Sequence, residues 1–454
     1  MTIFKYLLLA LFISLPFNGF AEPGSGLPEK RPWGAKLPAY QASDKDKNAD
    51  GFPAFTQAAE LTLSQALTLV LAQNPELAAF SWEVKAHQSL VRQAALLPNP
   101  EIELGVENIL GEDETCSFKS AETSLRLSQL IELGGKRASR RQIADLERDL
   151  AGWNYETTRL DILAAANKAF FELLSAQEWM QLGQENLQLA EEVFNTVNIR
   201  VQAGKASPLE KSRALIAVSK NRIALNNYER KLEAARHNLA STWGSTKPHF
   251  AKAVGNLEKI SKPPSLTSIA LRLTKNPEIA RQQTEIELQN AKLSMAKSLA
   301  VPDVNVGVGV KRHEEIDDYT FLFGVSMALP VFDRNQGGIS AAKAEVSTKK
   351  SKNRTIEVAI KTDLSQNYED LQAAYTEASS LQDRILPVAK ETFEAINWGY
   401  RQGQFEFLDV LDAQRTLIEL REQLIDSLQG YHAKKISIER LIGQEITQIK
   451  DATL

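Results

Sequence analysis

The 454-residue chain has a single cysteine, Cys116, so no disulfide can form within it and a cross-linked scaffold is excluded. Histidine is almost as scarce. His87, His237, His249, His313 and His432 show no ligand spacing to one another or to the cysteine, which argues against a bound metal centre. The sequence contains no phosphate-cradling glycine loop and no nucleophile–His–carboxylate set, so neither nucleotide-driven work nor enzymatic catalysis is expected, and no cofactor. A net charge of −4 is small for this length and gives no reason to expect nucleic acid as a partner. After the first twenty or so residues no run approaches the ~18 apolar residues of a membrane-spanning helix.

The first residues read as a secretory signal, 1–21. Lys5 supplies the positive charge, Tyr6 to Phe17 an apolar stretch broken by Pro16, and Gly19-Phe20-Ala21 the small residues of a cleavage site. At roughly 12 residues the stretch falls short of the ~20 that a spanning helix needs. No cysteine follows the site, so a lipid anchor is not expected; Cys116 reads as a lone loop thiol. Residues 22–60 hold Pro23, Pro28, Pro32, Pro38 and Pro53 with a polar run from Asp44 to Asn48, the composition of an extended segment.

What the remainder does contain is a duplication. Residues 61–244 and 264–443 form two copies, joined by a linker at 245–263 and followed by a tail at 444–454. Asn74-Pro75-Glu76 returns as Asn276-Pro277-Glu278, Leu97-Pro98 as Val301-Pro302, and Gly204 with Leu209-Glu210 as Gly403 with Leu408-Asp409. The offset stays at about 200 residues throughout. Each copy predicts a first helix of about nine turns (62–97 and 265–299), with Thr62 and Ser64 or Ser265 and Thr267 available as caps. Two strands follow (100–109 with 122–132; 303–312 with 319–330), then a very long helix (136–203; 337–402) and a shorter one (206–243; 405–442). Each long helix would run ~100 Å at 1.5 Å per residue, a length that a compact domain cannot use. Heptad-like apolar steps (Ile143, Leu146, Leu150, Trp153; Leu417, Leu420, Leu424, Tyr431) read as coiled-coil seams. Only Pro387 interrupts the long helices, and a kink is expected there.

The strands alternate. Val304, Val306, Val308 and Val310 share one face, as do Phe321, Phe323, Val325 and Met327, and as do Ile102, Leu104 and Val106; they oppose Asp303, Asn305, Gly307, Gly309 and Lys311, then Thr320, Gly324, Ser326 and Ala328, and Glu103, Gly105 and Glu107. This is the pattern of a barrel with lipid outside and water inside, and ~10 residues suits a tilted membrane strand. The glycines Gly105, Gly307 and Gly309 suit an open lumen or local curvature. Four strands cannot close a barrel when the smallest have about eight, so several copies must share one. Eight strands leave no open interior, which favours three or more copies.

The phrases Arg200-Val201-Gln202-Ala203-Gly204-Lys205-Ala206-Ser207-Pro208-Leu209-Glu210 and Gly399-Tyr400-Arg401-Gln402-Gly403, running on to Phe407-Leu408-Asp409-Val410-Leu411-Asp412-Ala413-Gln414-Arg415, resemble the TolC-like family of trimeric outer-membrane efflux proteins. Within it the likeness is to the outer-membrane subunits of heavy-metal (cobalt, zinc, cadmium) resistance-nodulation-division pumps. The resemblance implies a mainly α fold with a β-barrel contribution: a homotrimer whose twelve strands form an outer-membrane barrel above a periplasmic α-helical tunnel. It implies as partners a periplasmic adaptor (membrane fusion protein), an inner-membrane resistance-nodulation-division pump and outer-membrane lipid. It places the inner tip at the turns of Gly204 and Gly403, with Glu210 beside the first, as the region an adaptor contacts. Asp409 and Asp412 match the aspartates that ring the inner constriction, where six carboxylates of a trimer would favour cations; as plain helix residues they would instead favour the dipole of the last helix. Tyr400 matches a tyrosine that holds the tip closed. Phe405 stands where a well-known member has its arginine partner, so closure by Phe405 and Phe407 is the expected substitute.

The function implied is a passive exit duct for heavy-metal cations. The alternatives are a duct for drugs or for type I protein secretion, and, in another class, a soluble periplasmic coiled-coil scaffold or adaptor. Two acidic runs, Glu112-Asp113-Glu114 and His313-Glu314-Glu315 with Asp317-Asp318, are expected as solvated outer loops.

Overall fold

The computed structural model describes residues 60–109 and 118–449. The signal, most of the proline-rich segment, Cys116 with the Glu112-Asp113-Glu114 run, and the end of the tail lie outside the described residues. The chain opens with strand β1 (Glu60–Thr62) and helices α1 (Leu63–Gln73) and α2 (Pro75–Ala94). Strands β2 (Glu101–Glu107) and β3 (Glu122–Ile131) lead to helix α3 (Lys136–Gln202) and helix α4 (Pro208–Ser241). Strand β4 (Lys252–Val254) pairs in parallel with β1. The second copy repeats the order: α5 (Leu266–Ala270) with a 3-10 turn, α6 (Pro277–Ser298), β5 (Val304–His313), β6 (Asp318–Met327), α7 (Gln336–Ser380), α8 (Leu386–Gln402) and α9 (Phe407–Ile442).

The first helix of each copy is therefore two helices, where one of about nine turns was expected. The break falls at the repeated Asn-Pro-Glu. A residue before proline is pushed out of the helical region, and Asn74 and Asn276 sit at ψ 121° and 124°. Each then caps the next helix: Asn74 Oδ1 accepts from the N–H groups of Glu76 and Leu77, and Asn276 Oδ1 from those of Glu278 and Ile279. Each also ties its helix to the far end of its own hairpin, through Asn74 Nδ2 to the Thr242 carbonyl (2.8 Å) and Asn276 Nδ2 to the Leu441 carbonyl (2.6 Å). The motif recurs because it does the same two jobs twice. Thr62 and Ser265, rather than Ser64 and Thr267, provide the upstream caps.

At Pro387 the second long helix does not simply bend. A π-helical turn (Leu381–Ile385) precedes it, and the Leu386 N–H donates to the Leu381 carbonyl. Proline cannot donate to the carbonyl four residues back and would collide with it; one widened turn moves that carbonyl aside. By contrast α3 runs unbroken for 67 residues, ~100 Å. Its buried face carries small residues such as Ala151, Gly152, Ala164, Ala166, Ala169 and Ala176, which let neighbouring helices approach closely.

The four long strands form one antiparallel sheet in the order β2-β3-β5-β6, so the two copies join through β3 and β5. Its register lines up apolar rows across all four strands: Ile102, Leu127, Val308 and Phe323 in one, Leu104, Leu125, Val310 and Phe321 in the next. This face is bare. Phe321 and Phe323 are 80% and 75% exposed, and Ile102 and Leu104 75% and 70%. A soluble sandwich would cover such a face, and nothing among the described residues does. Both edges, β2 and β6, lack a neighbouring strand within the described residues. The strands also run further outward in the second copy than expected. His313 is the last residue of β5, not part of a loop, with Nδ1 3.2 Å from Glu122 and Nε2 3.0 Å from the Thr320 hydroxyl.

The sheet meets the helices through a polar joint. Lys136 pairs with Asp303 at 2.7 Å, and Arg140 holds Glu132 with two hydrogen bonds while also donating to the Ala94 carbonyl at the end of α2. No helix among the described residues is long and apolar enough to cross a membrane.

Candidate gate at the helical tip

Two helical hairpins, α3–α4 and α8–α9, reverse direction at the end of the molecule furthest from the sheet. Both reversals use the same device. Gly204 (φ +69°) and Gly403 (φ +80°) adopt the left-handed conformation that closes a helix. The Lys205 N–H then donates to the Arg200 carbonyl, and the Gln404 N–H to the Gly399 carbonyl, both at 2.8 Å. The next helices start with capping boxes, Ser207 with Glu210 and Glu406 with Asp409.

The two hairpins are locked together through Tyr400. Its ring is 2% exposed and packs in a tip core with Val193, Val197, Phe407 and Val410. Its hydroxyl donates to Glu210 Oε2 at 3.3 Å, while Glu210 Oε1 accepts from the Ser207 N–H. The Arg200 guanidinium lies 4.4 Å over the Tyr400 ring and donates to the Tyr400 carbonyl at 2.6 Å. Burial, together with the Glu210 carboxylate, raises the Tyr400 phenol above its ordinary value against the opposing pull of Arg200. The phenol thus stays a neutral donor. Glu210 is therefore both cap and latch. Arg200 is the residue that sequence reasoning passed over: it opened the first family phrase with no role of its own, and its stacking partner is 200 positions away.

The remaining expected residues separate from this latch. Phe405 lies against Gly399, where an added Cβ would come within 2.4 Å of the ring, and stays 44% exposed. Phe407 does not share that exposed position; it is buried beside Tyr400, ring centroids 5.9 Å apart. Asp409 and Asp412 line an open groove between α8 and α9 with Arg384, Val388, Thr392 and Ile396. Asp409 Oδ2 accepts the Glu406 N–H at 2.9 Å, so it caps its helix. Asp412 pairs with Arg415 at 2.9 Å, both side chains 70% exposed. Within this chain both carboxylates already have local partners. Among the described residues no cluster of three or more His, Cys, Asp or Glu side chains could hold a metal ion.

A duplicated helix–strand–strand–helix–helix chain with a bare-faced sheet at one end and latched hairpins at the other defines an outer-membrane efflux channel of the TolC-like type. The outer membrane efflux protein family model matches residues 66–245 and 269–444, and the chain belongs to that family. Over 410 residues it is 30% identical to the cobalt-zinc-cadmium resistance protein CzcC of Cupriavidus metallidurans, covering 90% of this chain and 96% of that one. It is 24% identical over 286 residues to the nickel-cobalt-cadmium resistance protein NccC of Alcaligenes xylosoxydans, covering 63% and 64%. Among solved structures, CusC superposes with a TM-score of 0.72 at 17% identity, over 92% of this chain and 99% of that one. The outer membrane protein VceC of Vibrio cholerae superposes with a TM-score of 0.69 at 16% identity, over 85% and 96%.

Proposed function

We propose that this chain is the exit duct of a heavy-metal cation efflux system. Three copies close a twelve-stranded barrel in the outer membrane, and their hairpins continue it as a periplasmic tunnel. The observation that carries the duct is the four-stranded sheet with one bare apolar face and two open edges, which suits lipid on one side and sister strands at either end. Metal cations as cargo are supported by the likeness to CzcC along 96% of its length. The chain does no chemistry of its own. An inner-membrane resistance-nodulation-division pump supplies the energy through a periplasmic adaptor that engages the tip around Gly204, Glu210 and Gly403.

The Tyr400–Glu210–Arg200 latch holds the two hairpins of a subunit together in the resting tip. Opening swings the α8–α9 hairpin outward, which breaks the tyrosine hydrogen bond and brings Asp409 and Asp412 of each subunit to the rim of the aperture as a cation-selective ring. Asp409→Asn with Asp412→Asn tests the ring, because asparagine keeps the capping acceptor that alanine would delete. Reconstituted channels of the double variant should lose cation selectivity at unchanged trimer stability; unchanged selectivity would refute the ring. Deletion of the gene should sensitise cells to cobalt, zinc, cadmium or nickel salts. Sensitivity confined to drugs would instead favour a drug duct.

A further inference from the structure

On the sheet face opposite the apolar rows, one side chain runs across its neighbours. Arg126 sits on β3, with Glu103 of β2 and Gly309 of β5 as its register partners. It does not turn to Glu103. Its Nε lies where a Cβ on Gly307 would come within 2.7 Å, and its Nη2 where a Cβ on Gly324 would come within 2.9 Å. Gly307 and Gly324 are register partners on β5 and β6. The guanidinium is therefore laid flat over two strands and ends above the open edge of the sheet. Any side chain at either glycine would block it, and Gly309 completes the trough, since a Cβ there would lie 2.6 Å from the Leu125 carbonyl oxygen. Among the described residues no carboxylate lies within ion-pair distance of Arg126.

The other open edge carries the complement. On β2 the residues facing the same side are Glu101, Glu103, Gly105 and Glu107. Glu107 is held by Lys311 at 2.9 Å, whereas Glu101 and Glu103 have no cationic partner among the described residues. β2 and β6 run in opposite senses along the sheet, so β2 of a second copy can continue it beyond β6 as an antiparallel neighbour, ~4.8 Å further on.

We propose that Arg126 is a subunit-seam residue: its guanidinium crosses the glycine trough to pair with Glu101 or Glu103 of the next copy of this chain. The pair is formed on the lumen side of the wall, where a carboxylate row meets a cation delivered to the edge, and a bidentate guanidinium–carboxylate contact fixes the register of the two strands. This rests on the shared-barrel reading above.

The test uses full-length protein purified from outer membranes in detergent, followed by the temperature at which the oligomer collapses to monomer in SDS. Arg126→Ala should lower that temperature by several degrees. Arg126→Glu, which sets like charges across the seam, should abolish the SDS-resistant band. Co-expressing Arg126→Glu chains with either Glu101→Arg or Glu103→Arg chains should recover part of it, and the swap that does so reports the register; because the two changes then sit on different chains, the same-chain pairing of positions 103 and 126 cannot supply the rescue. Wild-type collapse temperatures in both single variants would overturn the pairing, as would a lost band that neither swap restores. A change in ion selectivity without any change in oligomer stability would place Arg126 in the pore and also overturn it. A wild-type protein that is monomeric would fail at the shared barrel itself, a distinct outcome.

Discussion

Replacing Glu439 with glutamine should unmask an acid-sensitive histidine. Glu439 is 5% exposed on α9, with Oε1 accepting the Ile446 N–H at 3.0 Å and Lys435 Nζ 3.8 Å away. Burial pushes its carboxyl up to about 7, with Glu445 adding to the rise and Lys435 and the Ile446 N–H opposing it. The folded protein therefore keeps a proton that the unfolded chain releases near its ordinary value of 4.5. The stability this contributes is fully present below pH 4.5 and is lost as pH rises through 7. At 1.36 kcal/mol per pH unit the change is about 3 kcal/mol. Two turns away, His432 is buried, stacked on Phe171 at 4.0 Å, and its Nε2 donates to the Leu257 carbonyl at 2.8 Å. Burial depresses it to about 4 from 6.5, so its contribution is present above pH 6.5 and is lost as pH falls through 4, again by about 3 kcal/mol. Between pH 4.5 and 6.5 the two slopes oppose and nearly cancel. The wild-type protein should show a flat stability profile there from these two groups, while Glu439→Gln, which keeps an acceptor for Ile446, should lose about 3 kcal/mol on acidification from pH 6.5 to 4. Denaturant unfolding followed by tryptophan fluorescence at half-unit pH steps, reported as the difference between variant and wild type, isolates the effect. Parallel profiles would refute the assignment of Glu439 as protonated in the fold.

Tyr400→Phe deletes the hydroxyl contact to Glu210 but keeps the ring beneath Arg200. It should cost about 1 kcal/mol of stability and raise the open probability of single channels in planar bilayers. Phe323→Arg puts a charge in the middle of the bare face and should cost about 2–4 kcal/mol of insertion, read as the fraction of protein assembled in the outer membrane; Ser326→Arg on the opposite face of the same strand should be tolerated.

The repeat, the helix and strand order and the barrel-type alternation were all legible because each is written in local periodicity. An apolar residue at every second position from Val304 to Val310 needs no tertiary knowledge to be read as a one-faced strand. Asn-Pro-Glu was visible as a repeated marker, yet its role was not. A break at the proline is local, but the bonds of Asn74 to Thr242 and of Asn276 to Leu441 span well over a hundred residues. Pro387 announced an irregularity, and whether the helix kinks or widens into a π turn depends on what packs around Leu381.

The candidate gate divides the same way. Gly204 and Gly403 were readable as turns, since a left-handed turn carries its own residue signature, whereas the capping boxes of Ser207 with Glu210 and Glu406 with Asp409 were not read from the sequence. That Glu210 also accepts from Tyr400, and that Arg200 lies on that ring, follows from two hairpins docking side by side, which no spacing encodes. Asp409 shows the limit from the other side: its position suits a pore ring and the dipole of the last helix equally well, and its capping bond to the Glu406 N–H is visible only with that backbone in place. The amino-acid order was enough to dictate which segments are helix or strand and which faces are apolar, because those depend on neighbours a few residues apart. Folding alone settled which cation meets which ring, which carboxylate is buried beside Ile446, and where Arg126 reaches, because those contacts join residues that the chain keeps far apart until it packs.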